Sequence, residues 1–122
     1  MTPTTATAFD FAAYRRALER FDVAALSEWL SEDATWTAID QRTPPASPGV
    51  LRGRDAIVAM AEDVAKLGLE IKVSGEVIGE RRIAYTSECR YPDGKGVVGM
   101  ATIELDEDGR IARLREVQAF DE

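Results

Sequence analysis

The hydrophobic pattern of the chain changes its period at Gly68, and this change limits the possible folds more than any other feature. Before Gly68, apolar residues recur every three or four positions, as they do on one face of an α-helix. After it, apolar and polar residues alternate, as they do in half-buried β-strands. The candidate strands are residues 70–78, 82–91, 96–105 and 110–120. Short turns containing Gly separate them, so these strands are predicted to form antiparallel hairpins.

Two helices are predicted near the start of the chain. The apolar face of the first consists of Phe11, Tyr14, Ala17, Leu18 and Phe21. Asp22 can then cap a second helix, because its carboxylate accepts the free backbone N–H groups of a first helical turn. The buried stripe of this second helix is predicted to contain Val23, Leu26, Trp29 and Leu30.

A strand, a loop and a third helix are predicted before Gly68. Residues 35–40 alternate as a strand does, and the Pro-rich residues 43–49 form a loop. Asp55 opens the third helix and Gly68 ends it, because Gly tolerates a left-handed conformation after a helix. The inward face of this helix consists of Ile57, Met60, Ala61, Val64 and Leu67. Helices followed by an antiparallel sheet indicate an α+β domain, with the helices on one face of the sheet.

The absence of histidine narrows the chemistry that the chain can perform. Its 122 residues include 15 Lys and Arg, 22 Asp and Glu, one Cys and no His, which gives a net charge of −7. This composition excludes zinc fingers, His-based metal sites, Ser-His-Asp triads and Cys-His nucleophiles. An acidic chain also disfavours a nucleic-acid partner. We expect no cofactor and no metal, because the sequence contains no Gly-rich phosphate loop and no cluster of metal ligands.

The sequence also bears on domain organisation and location. Residues 1–8 are small and polar, without the features of a signal peptide, and are expected to be a flexible leader. Residues 9–122 are expected to form a single domain. No apolar run approaches the roughly 20 residues that cross a bilayer. Since one Cys cannot form an internal disulfide, we expect a cytoplasmic protein with no membrane partner.

Five short segments occur in an order that resembles the nuclear transport factor 2-like superfamily, in its SnoaL-like and ketosteroid isomerase-like branch. These segments are YRRAL (14–18), FDVAAL (21–26), SEDATW (31–36), GRDAI (53–57) and DGRIARL (108–114). The resemblance implies a cone-shaped α+β fold, in which three helices pack on a curved, mostly antiparallel sheet. It also implies a mostly apolar pocket inside the cone and a homodimer formed through the outer face of the sheet.

The alternation of the strands predicts which residues would face such a pocket. They are Trp36, Ala38 and Asp40 on the first strand, and Tyr85, Ser87, Cys89 and Tyr91 on a later one. Val97, Gly99, Ala101 and Ile103 follow on the next strand, and Leu114, Glu116, Gln118 and Phe120 on the last. Tyr14 is expected to point inward from the first helix. A ligand is therefore expected to contact Trp36, Tyr85, Ser87, Cys89, Ala101, Leu114 and Gln118.

The resemblance carries over to only part of the ketosteroid isomerase site. Tyr14 matches the tyrosine of the family's first helix. The family's aspartate base corresponds to Ala38, and its acidic oxyanion donor corresponds to a position near Ala101. Two of the three catalytic groups are therefore missing, and the resemblance does not imply steroid isomerisation.

Glu116 is the strongest candidate for a replacement base. A carboxylate in an apolar pocket without a cation has a raised pKa, as a general base or acid near neutral pH requires. Tyr14 would donate a hydrogen bond to a developing oxyanion, Gln118 would position the substrate, and Asp40 would assist. The alternatives are structural: Glu116 could be solvated or paired with an arginine such as Arg42 or Arg52, and Asp40 could simply end a strand.

Similar alternatives apply to the other candidates. Tyr14 and Trp36 could be core aromatics, Cys89 a buried apolar residue, and Gln118 a partner of Glu116 alone. The sequence thus favours a cofactor-independent enzyme that acts on a small apolar or cyclic metabolite by isomerisation, cyclisation, dehydration or epoxide hydrolysis. A binding protein without catalysis, or an interaction module whose pocket is filled by its own side chains, is the alternative.

Overall fold

The computed structural model describes residues 9–121 as three helices and six strands. The predicted leader at residues 1–8 lies outside the described residues. The helices are α1 (Phe11–Arg20), α2 (Val23–Glu28) and α3 (Arg54–Ala65). The strands are β1 (Leu30–Ile39), β2 (Gly49–Arg52), β3 (Glu70–Ile78), β4 (Arg82–Arg90), β5 (Gly96–Leu105) and β6 (Ile111–Phe120). No helix within residues 9–121 is long and apolar enough to cross a membrane.

Side-chain caps fix where the first two helices begin. The Asp10 carboxylate accepts the N–H of Ala13 at 3.1 Å, and the Asp22 carboxylate accepts that of Ala25 at 3.2 Å. The predicted cap at Asp22 is therefore confirmed. Such caps satisfy backbone donors that have no partner within the helix.

The third helix begins one residue earlier than predicted and ends at Ala65. Its N-cap is Gly53, whose φ of 91° is not accessible to most other residues. Gly68 adopts a φ of 70° in the connection that leads to β3, as its position after the helix predicted.

The six strands form one sheet in the order β2-β1-β6-β5-β4-β3. The pairs β3–β4, β4–β5 and β5–β6 are antiparallel, and their bounds differ from the predicted ones by at most one residue. β1 runs parallel to β6, and β2 pairs with β1 in the antiparallel sense. The prediction of an α+β fold with a mostly antiparallel sheet is confirmed.

The structure corrects the prediction around the first strand. The second helix ends at Glu28, so Trp29 is its C-cap and Leu30 begins β1 rather than the helical stripe. β1 begins five residues before the predicted start at residue 35 and ends at Ile39, one residue before the predicted end. Its first half is not predicted from the sequence because it is irregular against β6 and lacks alternation. β2, which is not predicted, is four residues long and begins at Gly49, the last residue of the predicted loop. A strand this short shows little period and is defined by its hydrogen bonds to β1.

The core lies between the helices and the concave face of the sheet. Val73 on β3 and Ile103 on β5 are fully buried there, and Tyr14 of α1 packs with them in the same cluster. Along β5, buried and exposed residues alternate as predicted, with Val97, Gly99, Ala101 and Ile103 facing inward. The opposite face of the sheet, which carries Met100 and Val117, is exposed.

Candidate active site

The helices and the concave face of the sheet enclose a cavity of about 420 Å³. This volume falls within the range of small-molecule sites, roughly 300–1,000 Å³. The walls are mostly apolar, and the charged residues among those described there are Asp40, Arg42 and Glu116. A wider depression of about 750 Å³ near Arg52 opens broadly to solvent, so we place the candidate site in the enclosed cavity.

Most of the residues predicted to face a pocket line this cavity. They include Tyr14, Trp36, Asp40, Tyr85, Ser87, Cys89, Leu114, Glu116 and Gln118. The exceptions, all on β5, are Gly99, Ala101 and Ile103. Of these, Ala101 corrects the predicted ligand contacts, because it is only 2% exposed and belongs to the hydrophobic core. It pairs with Tyr85 on one side and with Glu116 on the other. Those longer side chains extend past its methyl group into the cavity.

Glu116 is held by two neutral side chains. The Gln118 amide Nε2 donates to Glu116 Oε1 at 2.7 Å, and the Ser87 hydroxyl donates a long hydrogen bond of 3.5 Å to Oε2. No salt bridge to Glu116 is found among residues 9–121. Burial raises the pKa of Glu116 to about 7, although the hydrogen bonds from Ser87 and Gln118 act to lower it. Near neutral pH this carboxyl group can therefore either accept or donate a proton.

Tyr14 and Tyr85 form a hydroxyl pair in the same cavity. Their oxygens are 2.8 Å apart, and their rings meet edge to face with centroids 5.9 Å apart. Burial raises the pKa of both phenols, and the negative charge of Glu116 raises both further. Both hydroxyls therefore stay protonated. One of the two hydroxyl protons forms the hydrogen bond between the two oxygens. The other hydroxyl proton can therefore be donated to another group.

The sequence predicts that Tyr85 contacts a ligand, but it does not predict the hydrogen bond between the hydroxyl groups of Tyr85 and Tyr14. The two tyrosines are 71 positions apart. They meet because α1 crosses the concave face of the sheet, and the crossing geometry leaves no local signal in the sequence. The sequence does predict that the side chains of Tyr14 and Tyr85 both point into the pocket, which is consistent with their contact.

Cys89 lies on the cavity wall as a protonated thiol. Burial raises its pKa, and the charge of Glu116 adds to that effect, while a hydrogen bond with Ser87 lowers it. A nucleophilic cysteine requires the opposite shift. Trp36 also lines the cavity, and its buried indole N–H has no hydrogen-bond partner among the residues that the structure describes.

Asp40 lies on the cavity wall where β1 leads into the loop. Its Oδ1 accepts the N–H groups of Arg42 at 2.7 Å and Thr43 at 2.9 Å. Desolvation acts to raise the pKa of Asp40, but these hydrogen bonds and the charge of Arg42 outweigh it, so the pKa lies below its ordinary value. The group is therefore an ionised carboxylate that organises the turn, and assistance in catalysis stays a prediction. The Arg42 guanidinium itself lies over the ring of Phe120, 5.3 Å from its centroid.

Metal binding finds no support in the arrangement of side chains. Within residues 9–121, no three His, Cys, Asp or Glu side chains cluster in a way that could hold a metal ion. The side chains in the cavity that can exchange a proton or donate a hydrogen bond include the Glu116 carboxyl group, the phenols of Tyr14 and Tyr85, and the Gln118 amide.

The family model for the SnoaL-like domain matches residues 11–114. The chain belongs to the SnoaL-like family. The match includes Tyr14 and Tyr85 but ends before Glu116 and Gln118, so family membership by itself assigns nothing to that pair. No curated protein sequence matches this SnoaL-like protein.

Several solved structures share the fold of this SnoaL-like protein. A nuclear transport factor 2-like protein of unknown function from Mesorhizobium loti is 21% identical with a TM-score of 0.74, over 92% of this chain and 88% of that one. A putative ketosteroid isomerase from Kribbella flavida is 16% identical with a TM-score of 0.74, over 92% and 75% of the two chains. The epoxide hydrolase/cyclase-like enzyme SalBIII, which has a role in pyran ring formation in the polyether salinomycin, is 20% identical with a TM-score of 0.69, over 88% and 86%.

These likenesses confirm the cone-shaped nuclear transport factor 2-like fold and the SnoaL-like branch. At identities of 21% or less they establish the fold alone and leave the reaction to be argued from the site.

Proposed function

We propose that this SnoaL-like protein is a cofactor-independent acid–base enzyme whose substrate is a small, mainly apolar, cyclic metabolite. The observation that carries the proposal is the Glu116 carboxyl group, with a pKa of about 7, in an apolar cavity that also contains the Tyr14–Tyr85 hydroxyl pair. A proton acceptor beside a neutral hydrogen-bond donor is what isomerisation, aldol-type cyclisation and dehydration next to a carbonyl share.

With a carbonyl substrate, the ionised Glu116 takes a proton from the carbon next to the carbonyl group. The electron pair of that C–H bond moves towards the carbonyl oxygen and forms an enolate. The tyrosine pair donates its free proton as a hydrogen bond to the enolate oxygen, while both phenols remain neutral. Glu116, now protonated, returns the proton to another carbon or to a leaving hydroxyl, and the active site is restored.

The environment of each group fits its role. A base works best when its pKa lies near the working pH, and burial supplies that match for Glu116. Gln118 fixes Oε1 of the carboxylate, so the less constrained Oε2 is the atom that we assign to proton transfer. A single oxyanion donor is worth roughly 100- to 1,000-fold in rate in other enzymes.

The comparisons support this class of reaction but do not select one member of it. One structural neighbour is named a putative ketosteroid isomerase and another an epoxide hydrolase/cyclase-like enzyme. Steroid isomerisation itself is not proposed, because the family resemblance aligns Ala38, and a position near Ala101, with the acidic groups of that mechanism. In epoxide opening, the same carboxyl group would activate water or protonate the epoxide oxygen.

The experiment begins with thermal unfolding of the purified protein against a panel of cyclic ketones, aromatic polyketides and epoxides. A ligand at about 100 times its dissociation constant adds roughly 2.7 kcal/mol to the free energy of unfolding, which raises Tm by about 10 °C. Each compound that raises Tm is then incubated with the protein, and products are identified by mass spectrometry.

Glu116→Gln keeps the shape of the side chain but removes the base, and it should abolish product formation while ligand binding persists. Glu107→Gln, in the exposed β5–β6 turn, is the matched control and should leave turnover unchanged. Wild-type turnover by the Glu116→Gln variant would contradict the proposal. Binding without any product would instead favour a ligand-binding protein with no catalytic activity.

We also propose that two copies pair through the exposed face of the sheet, here called the outer face. Its apolar centre contains Val98, Met100 and Val117, of which Met100 is 65% and Val117 is 55% exposed. At one end of this centre, the guanidinium groups of Arg82 and Arg113 both donate hydrogen bonds to the Glu104 carboxylate. An apolar centre with charges of both signs at its edge suits a two-fold contact.

Light scattering after size-exclusion chromatography tests this assembly. The wild-type protein should have the mass of a dimer, and Met100→Glu should have that of a monomer. Val50→Glu is the control, because Val50 is also exposed but lies on β2, at the far edge of the sheet. A wild-type protein that elutes as a monomer at the highest concentration attainable would refute the dimer.

A further inference from the structure

The Glu116 carboxylate lies directly over Gly99 of β5. Glu116 pairs with Ala101 across the ladder, but its side chain leans one step along the sheet towards Gly99. Ser87 on β4 and Gln118 on β6 are the two direct partners of Gly99 in the sheet. Both of them donate hydrogen bonds to the carboxylate. The carboxylate thus occupies the space that a side chain at position 99 would fill.

The distances show how completely this space is used. A β-carbon at position 99 would lie 2.8 Å from Glu116 Oε2, 3.1 Å from Glu116 Cδ and 3.0 Å from Ser87 Oγ. The first of these is shorter than real Cβ contacts allow, and its partner is the oxygen assigned above to proton transfer.

Backbone conformation does not require a glycine here. The glycines with positive φ are Gly53, Gly68, Gly75, Gly94 and Gly109, and Gly99 is not among them. A glycine inside a strand weakens the strand, because it has no side chain to pack and loses more entropy on folding. The glycine at position 99 is therefore explained by the carboxylate that lies over it and not by the conformation of the strand.

We infer that Gly99 is a positioning residue, which leaves a bare patch of sheet on which the Glu116 carboxylate lies between Ser87 and Gln118. The inference rests on the proposed function, because it concerns the base of the proposed reaction. A methyl group at position 99 would push the carboxylate away from the sheet, break its contacts with Ser87 and Gln118, and misplace the atom that receives the proton.

A stability cycle tests the geometry without any substrate. Gly99→Ala should lower Tm in the wild-type background by roughly 2–5 °C, because the carboxylate is the end of a flexible side chain that can move aside only by giving up its hydrogen bonds to Ser87 and Gln118. In the Glu116→Ala background, this loss should shrink or disappear, because the carboxylate is gone and only the Ser87 hydroxyl, at 3.0 Å, still crowds the new methyl group. Gly49→Ala is the control in both backgrounds, since a β-carbon at this strand glycine would make ordinary contacts, the nearest being Thr43 Cγ2 at 3.4 Å.

Turnover of a substrate found by the ligand panel then separates positioning from packing. Gly99→Ala should lower kcat by about 100-fold with little change in KM, as misplacement of a reacting group by about 1 Å does. If Gly99→Ala alone does not fold, recovery of folding by the added Glu116→Ala change supports the inference.

Two results would overturn the inference. One is an equal loss of Tm on Gly99→Ala in both backgrounds, which would mean that the methyl group clashes with something other than the carboxylate. The other is a wild-type kcat in the Gly99→Ala variant. Failure of the proposed function gives a different result, namely full turnover by Glu116→Gln, whatever the stability cycle shows.

Discussion

The raised pKa of Glu116 predicts that this one carboxyl group makes the stability of the protein depend on pH. Its pKa is about 7 in the folded protein, against an ordinary value of 4.5. The folded state therefore binds the proton more tightly than the unfolded chain does. The contribution of Glu116 to the free energy of unfolding is therefore highest at low pH and falls as the pH rises from about 4.5 to about 7.

The size of this effect follows from the two pKa values. Each pH unit of difference corresponds to about 1.4 kcal/mol, so the whole effect is about 3 kcal/mol. Most of it lies within a convenient range, since about 2 kcal/mol is lost between about pH 5.5 and about pH 8.5. Glu116→Gln has no such group and keeps a side chain of the same shape, so it should become more stable than the wild type as the pH rises.

Urea unfolding of the wild type and of Glu116→Gln at several pH values in this range measures the effect. All other titrating groups are shared, so the difference between the two proteins isolates Glu116. Glu107→Gln, in the exposed β5–β6 turn, is the matched control for the change from Glu to Gln. A difference between the wild type and Glu116→Gln that stays constant with pH would refute the reasoning, because it would place the folded-state pKa at its ordinary value.

Three further predictions concern the site and its loop. The value of kcat/KM for any substrate should rise with pH and level off above about 7, because the base must be ionised; a pH-rate profile that falls over this range would argue for Glu116 as an acid. Tyr14→Phe and Tyr85→Phe should each lower Tm, because each leaves the other hydroxyl unpartnered, and the one whose hydroxyl faces the substrate should also lower kcat by roughly 100-fold or more. Asp40→Ala should lower Tm by roughly 2–5 °C through loss of the turn hydrogen bonds, and an unchanged kcat would assign Asp40 to the loop alone.

The parts of the fold that have a clear local period were predictable from the sequence. β3 to β6 span nine or ten residues each and are separated by turns that contain Gly, so their bounds are predicted to within one residue. The errors lie where the local pattern is weak. Residues 31–34 of β1 follow an irregular register against β6, and β2 has only four residues. The first half of β1 is a strand because it lies beside β6, far along the chain, and β2 is a strand because it pairs with β1 across the intervening loop. No local period records either pairing.

The sequence predicts which side chains face the cavity, but it does not determine which of them contact one another. Alternation along β6 places Glu116 and Gln118 on the concave face, and a bond between them is one of the alternatives that the sequence leaves open. The bond between Tyr14 and Tyr85 depends on how α1 crosses the sheet, which a sequence pattern does not fix. Ala101 was placed on the correct face, but the period of a strand says nothing about how deep a short side chain lies beneath its neighbours.

The contacts of Glu116 are hard to explain as devices that stabilise the fold. A buried carboxyl group with a pKa of about 7 costs the folded protein about 3 kcal/mol at high pH, a large part of the roughly 5–15 kcal/mol that stabilises a typical domain. An apolar side chain at this position would avoid that cost, and a cation nearby would reduce it. The neighbours are instead two neutral hydrogen-bond donors and a glycine that leaves room for the oxygen atoms. Features that destabilise a fold are concentrated at functional sites. Here the burial of the carboxyl group, its neutral hydrogen-bond donors and the strand glycine all concern the same two oxygen atoms, so Glu116 is the residue to test first.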